Sequence, residues 1–486
     1  MELEEEIILI EDNEEQEFIL IEDDIQFILP VTQEKTITPT KEIQEVTPDE
    51  NYTGLSKVTV NEIPEEYIVP KGEIQITENG IVDIKEYENA NVKVKAKSIR
   101  EKDINFFDYD GTLIDTWSLD ELQNKTELPE LPTHEGLISE GWNWALEELK
   151  EVNLPVDVGT MYITDDGATR LYIEIESEIE KKVSLYLRQT IANAVEINWG
   201  DGSEIETFSS TSNTTLSHEY NSIGNYVISI KVNEGYFYLG RTSNSVIGST
   251  SNANAYQRNI LKKAEIGEKL YQNRLTSYCF SNCYYLKSVT LPSYIRALDG
   301  NNFEYCYSLK TAIIPKNSIG CEVSTYVYRN CASLKNICVP KKNRGSSTNS
   351  FSGCSNLEKI FISFTNIGAN LFSNNYNLKN IYIYNTMTDL AGSAFSTNSS
   401  LKKITIPENI TSIGSNCFTA CYSLIEVHLK ATTPPTLSNI SAFSSLPTQA
   451  KFYVPYSEDG SVIEAYRTAT NWSTFADRFV EEIVEW

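Results

Sequence analysis

An aromatic residue returns every 21 to 25 positions through the distal half of the chain, at Phe280, Phe303, Tyr328, Phe351, Phe372, Phe395 and Phe418. Three residues after each stands Cys or Asn: Cys283, Cys306, Cys331, Cys354, Asn375, Asn398 and Cys421. Six residues after each stands a leucine: Leu286, Leu309, Leu334, Leu357, Leu378, Leu401 and Leu424. Alternating apolar pairs follow, such as Val289/Leu291, Ile360/Ile362 and Val427/Leu429, and Pro292, Pro315, Pro340 and Pro407 close four of them. A fixed period of this length means stacked units, each too small to bury its apolar side alone. Each unit reads as one short strand plus a turn or short helix, with the leucine and the apolar pair pointing into a shared core. Proline ends the strand because it has no N–H to continue a ladder.

These residues resemble the BspA-like (Treponema-type) leucine-rich repeat, whose units read Phe-x-x-Cys-x-x-Leu-Lys-x-Ile-x-Ile-Pro. The resemblance covers 275–430 and is carried best by Phe280–Pro292 and Phe418–Leu429. It implies surface recognition of proteins or glycans and no chemistry of its own. Residues 431–486, with Pro434-Pro435, Phe443, Val454-Pro455, Ala465-Tyr466 and Trp472, are similar to the family's C-terminal cap. All nine cysteines lie between Cys279 and Cys421. Their odd number and even spacing point to small buried hydrophobes rather than a disulfide framework. Cys279/Cys283 and Cys417/Cys421 lack the His partners of a usual zinc site.

If the apolar pairs face inward, the residues alternating with them face out on an open sheet. That face runs from Ser288/Thr290, Thr311/Ile313 and Asn336/Cys338 through Lys359/Phe361, Asn380/Tyr382 and Lys403/Thr405 to Glu426/His428. Phe361 and Tyr382 between Lys359 and Lys403 form an aromatic-basic strip suited to a sugar or a protein loop. The alternative is that the strip packs on a neighbouring domain or subunit. On the first reading, replacing Phe361 and Tyr382 by alanine weakens binding without unfolding the array.

A second module precedes the repeats. Glu196-Ile197-Asn198-Trp199-Gly200-Asp201-Gly202, then His218-Glu219-Tyr220, then Gly224–Ile230 read as a small β-sandwich and are similar to PKD-type domains over 169–235. His218 and Asp201 read as turn-holding residues. Residues 236–274 are expected to be a connector. Segment 101–168 carries Phe107-Asp108-Tyr109-Asp110-Gly111-Thr112, which looks like the nucleophile loop of haloacid-dehalogenase-type phosphatases, with Asp165-Asp166 as the nearest acidic pair. Too few residues follow for a doubly wound sheet. The segment reads instead as a linker module with a short helix at 142–149, and the chain as non-enzymatic, without cofactor or metal.

The charge is uneven. Residues 1–50 hold 17 Asp/Glu against two Lys, whereas 261–430 hold 18 Lys/Arg against 9 Asp/Glu, within a total of −28. The total opposes general nucleic-acid binding. No apolar run approaches the ~20 residues of a membrane helix, and the acidic start is the reverse of a secretory signal. Residues 1–35 repeat a short apolar pattern through Ile7, Leu9, Phe18, Leu20 and Phe27, which reads as an acidic docking or oligomerisation segment. Residues 36–100 resemble a β-rich module of phage tail and fibre proteins.

The expected fold is multidomain and mainly β. It comprises an N-terminal β assembly module, a small PKD-like β-sandwich, and a C-terminal leucine-rich-repeat solenoid with a cap. The favoured function is a phage virion appendage at the particle surface, docked by its N-terminus to other virion proteins. Its repeats would bind a host surface protein or glycan, and a homo-oligomer such as a trimer is typical of such appendages. The alternative is a bacterial cell-surface adhesin.

Overall fold

The structure is a computed structural model. It describes 103–240, 245–248, 259–341, 345, 347–364 and 367–482, together with the backbone of short strands between residues 8 and 94. Residues 1–102 and 103–486 form separate units. In the first, Ile8–Ile10, Gln16–Ile21 and Asp24–Phe27 pair with one another as an antiparallel meander in which Phe18 lies opposite Ile8 and Phe27. Thr36–Ile37, Lys57–Thr59, Ile81–Ile84 and Ile74–Ile76 make a second sheet, and Tyr67–Val69 pairs with Val92–Val94.

The second unit is mainly β, and its C-terminal part is a solenoid of stacked coils. Parallel strands on one face include Thr311–Ile313 with Asn336–Cys338, Lys359–Ile362 with Asn380–Ile383, and Lys403–Ile406 with Glu426–Leu429. Two-residue parallel strands such as Ala297–Leu298 and Glu322–Val323 line another face. The periodic leucines are all buried in one continuous core. The periodic aromatics stack ring on ring from Phe280 to Phe443, with centroids 5.0–5.9 Å apart and planes within 15° of parallel. Phe443, assigned by sequence to the cap, is thus an eighth rung.

Between rung and strand the chain makes turns rather than a helix. Residues two before and two after each rung from Phe280 to Phe418 have φ between 56° and 76°. Asn or Gly fills eight of these fourteen left-handed positions, including Asn282, Asn330, Gly353 and Asn374. Asn tolerates this region better than other residues with a Cβ. The reversals free the rung's N–H to bond the next coil, as from Phe372 N to Ala394 O at 2.8 Å.

The Cys/Asn position also becomes intelligible. Cys306, Cys331, Cys354 and Cys421 donate their S–H to the carbonyl of the preceding rung at 3.0–3.2 Å, and Asn375 donates Nδ2–H to Phe351 O at 3.1 Å. A short donor with little bulk is what the position requires.

Upstream, two sheets share the solenoid's core. One contains Thr169–Ile175, Val195–Asn198, Glu206–Thr207 and Gly224–Val232; the other contains Lys182–Gln189, Thr214–Glu219 and Phe237–Leu239. The stretch read as a connector holds the strand that joins sandwich to solenoid. Leu261–Glu265 runs antiparallel to Thr169–Ile175 and parallel to Ser288–Thr290, with Ala264 facing Leu171 on one side and Val289 on the other. The sandwich therefore covers an edge and an apolar end that a solenoid cannot leave bare. At the opposite end Lys451–Pro455 and Phe479–Glu482 extend the sheet. There Trp472 packs on Phe443 and donates its indole N–H to Pro435 O at 2.7 Å.

Residues 103–164 form a folded module where a linker was expected. Its sheet runs Leu113–Trp117, Ile104–Phe107, Val156–Thr164, Leu137–Trp142, with short helices Leu119–Asn124 and Leu146–Val152. Ser118 and Glu121 cap the first helix reciprocally.

Candidate binding surface

Strand alternation turns the predicted strip outward, but the module of 103–164 sits on it. Phe361 is only 3% exposed and packs edge-on against Trp144, with centroids 5.7 Å apart. It shares a core with Phe106, Trp117 and Trp142, against which Tyr382 and Tyr384 also pack. Lys359 Nζ lies 2.9 Å from Asp157 Oδ1. Trp144 donates its indole N–H to Val339 O at 3.0 Å, and Asn143 donates Nδ2–H to Cys338 O at 2.9 Å. Ion pairs Lys316–Glu148 and Lys341–Glu151 flank the seat. Gly159 makes the approach possible, because a Cβ there would fall 2.6 Å from Ile313 Cγ1. The open-face expectation is therefore corrected for Lys359 and Phe361: aromatic exposure on a flat sheet was filled by the chain's own tryptophan. Asn380 and Thr405 remain exposed, and Lys403 reaches Glu426 at 3.5 Å.

His428, the last member of the predicted face, is buried. Its Nδ1 lies 2.7 Å from Glu482 Oε2 and its Nε2 3.2 Å from Glu426 Oε2, and its ring stacks on Tyr453. Burial lowers the His428 pKa, but the hydrogen bonds to Glu426 and Glu482 outweigh it and leave it raised. The His428 hydrogen bond, against burial, holds Glu426 down at about 2. Burial opposes the same shift in Glu482, yet His428 and Lys430 bring it to about 2.

The signs fix a window. The raised histidine contributes stability below its unfolded pKa of about 6.5, lost as pH rises through the folded value. The lowered glutamates contribute above their unfolded pKa of about 4.3, lost as pH falls toward 2. Hydrogen-exchange protection of Glu426–Leu429 and Phe479–Glu482, corrected for intrinsic rates, should peak between about pH 4.3 and 6.5. In His428→Gln the fall on the alkaline side should vanish; an unchanged profile would contradict the network.

The motif at 108–112 does not build a phosphatase loop. Asp108 is buried, accepts from Thr160 Oγ1 at 2.9 Å, and lies 2.7 Å from His134 Nε2. Asp110 is exposed and accepts from Thr112 N within its own turn. The strand before them turns straight back in an antiparallel hairpin. Asp165 and Asp166 both pair with Arg170 at 2.8 Å.

In the sandwich, His218 Nε2 lies 2.7 Å from Asp201 Oδ2 and its ring stacks on Trp199, the turn-holding arrangement read from sequence. All nine cysteines are buried and outside any disulfide, and burial pushes the Cys354 and Cys421 thiols up to about 12. Among the described residues no cluster of three or more His, Cys, Asp or Glu is arranged to hold a metal. The side chains of Ile7, Leu9, Phe18, Leu20 and Phe27 lie outside the described residues.

Beyond the part of the sheet face that the module covers, the solenoid also exposes a rim, where the chain enters each strand. Lys287, Lys310, Lys335, Lys379 and Lys402 each follow a core leucine and are exposed. Tyr285, one residue before Leu286, and Tyr307, Tyr376 and Tyr422, two residues before Leu309, Leu378 and Leu424, are 44–62% exposed. The recurrent Leu-Lys pair is the sequence signal for this rim, at 286/287, 309/310, 334/335, 378/379 and 401/402.

A family model described as the BspA type leucine-rich repeat region matches at 204–321, 247–365 and 321–448, together half of the chain. The chain belongs to the BspA-type leucine-rich repeat family. This BspA-type match begins inside the sandwich, ahead of the first solenoid strand. No curated protein matches the sequence.

Among solved structures, a leucine-rich cell surface protein of Faecalibacterium prausnitzii is 23% identical over 43% of this chain and 63% of its own, with a TM-score of 0.29. This chain thus spans less than two thirds of that protein. A leucine-rich repeat protein of Bacteroides ovatus is 18% identical over 53% and 70%, with a TM-score of 0.33. The pneumococcal vaccine antigen PcpA is 15% identical over 43% and 66%, with a TM-score of 0.24.

Proposed function

We propose that this chain is a non-catalytic recognition protein of adhesin type, working at a bacterial cell surface and binding a protein or glycan through its solenoid. The carrying observation is a rigid, single-core array of BspA-type coils that repeats exposed Lys and Tyr side chains in register along one rim. Several acid, base and thiol groups are engaged in structural contacts, among them His134–Asp108, His218–Asp201 and Cys331–Phe303 O. A virion role rests on the resemblance of 36–100 to phage tail modules alone, so the adhesin reading is preferred. In either setting residues 1–102 would serve as the attachment end, with oligomerisation through its strands. The test is binding of the purified full chain to bacterial and epithelial cells, together with immunogold localisation on producing cells. Saturable binding and label on the cell envelope are expected; label confined to phage particles would overturn the placement.

A further inference from the structure

Resting on the recognition reading, we propose that the lysine-tyrosine rim binds a linear acidic polysaccharide laid along the solenoid. The lysines one residue after each core leucine are held in register by backbone bonds between coils. Lys287 N donates to Lys262 O at 2.8 Å and Lys335 N to Lys310 O at 2.9 Å. Neighbouring parallel strands lie ~4.8 Å apart, so the lysines of adjacent coils leave the backbone at about that rise. Among the described residues Lys287, Lys310, Lys335 and Lys402 form no ion pair, whereas Glu358, which breaks the row, pairs with Lys379 at 3.5 Å. Positive charge is thus left uncompensated on a chain whose net charge is −28.

The tyrosines run beside this row and touch it. Lys262, the row's first member, sits 4.7 Å from the Tyr285 ring centroid, and Tyr284 stacks on Tyr307 at 5.2 Å. Exposed aromatic faces stack on the apolar faces of sugar rings, while point-charge ammoniums suit separate carboxylate or sulfate groups. An open ridge accommodates a long polymer better than a small ligand. Lysine in place of arginine disfavours a nucleic acid, whose phosphates are best gripped by the bidentate guanidinium fork.

The experiment compares the full chain with K287Q/K335Q/K402Q, its arginine counterpart, and Y307A/Y422A, each checked for unchanged circular dichroism. Immobilised heparin probes sulfated polymer, alginate probes carboxylated polymer, dextran is the neutral control and duplex DNA the competing polyanion. Binding to at least one acidic glycan should weaken with salt. It should fall about tenfold or more in the glutamine variant, persist in the arginine variant, and drop severalfold in the tyrosine variant. Equal binding by the glutamine variant, no binding to either acidic glycan, or tighter binding to DNA would overturn the proposal. Cell binding is measured in parallel: if the glutamine variant still binds cells, the rim is wrong and the recognition reading stands. If the wild type binds no cell, the recognition reading fails whatever the glycans show.

Discussion

Phe372→Ala should destabilise the solenoid by about 3–5 kcal/mol and divide its unfolding into two stages. The ring is fully buried between Phe351 and Phe395, stacked at 5.4 and 5.9 Å. Removing it opens a cavity that the flanking rungs cannot close, because each is held by its own inter-coil backbone bonds. In a linear array every coil contacts only its neighbours, so one weak junction uncouples the two sides. The coils before it retain the sandwich and those after it retain the C-terminal cap. Urea unfolding followed by far-ultraviolet circular dichroism should pass from one transition to two. A single transition at the wild-type midpoint would show that the aromatic column is not the spine of the fold.

The second large effect is expected at the module's seat. Trp144→Ala should cost about 3–5 kcal/mol in packing, with a further penalty for leaving Val339 O without its indole donor. The loss should fall on docking rather than on the coils, since Trp144 is not a rung. Amides of Asn336–Cys338 and Lys359–Ile362 should exchange faster while those of Lys403–Ile406 keep their protection. Phe361→Ala removes the other half of the same contact, so the double variant should be less destabilised than the sum of the singles. The reading from the face alone, that losing Phe361 leaves the structure intact, is replaced by this one. Unaltered exchange in Trp144→Ala would mean that the module does not rest on the sheet.

Much of the solenoid was legible because a repeat writes its instructions within one unit. The spacing of Phe280, Cys283 and Leu286 already specifies aromatic, small buried residue and core leucine, and recurrence specifies stacking; that the small residue is also a donor is seen only in the fold. The asparagines that flank six of the seven rungs from Phe280 to Phe418, such as Asn282, Asn301, Asn330 and Asn349, carry a further signal for left-handed turns. The sandwich turn was similarly local, with Trp199, Asp201 and His218 close in sequence.

By itself, then, the sequence determined the coil, its period, its buried cysteines and the direction in which each strand residue points. Only the tertiary structure decided which outward residues remain outside. Trp144 and the Val339 carbonyl it meets are 195 positions apart. A periodic pattern sets which side chains leave the core, but contact between distant segments depends on their shapes meeting, as at Gly159 over Ile313. That meeting took Phe361 from the surface and left the lysines and tyrosines of the rim facing solvent.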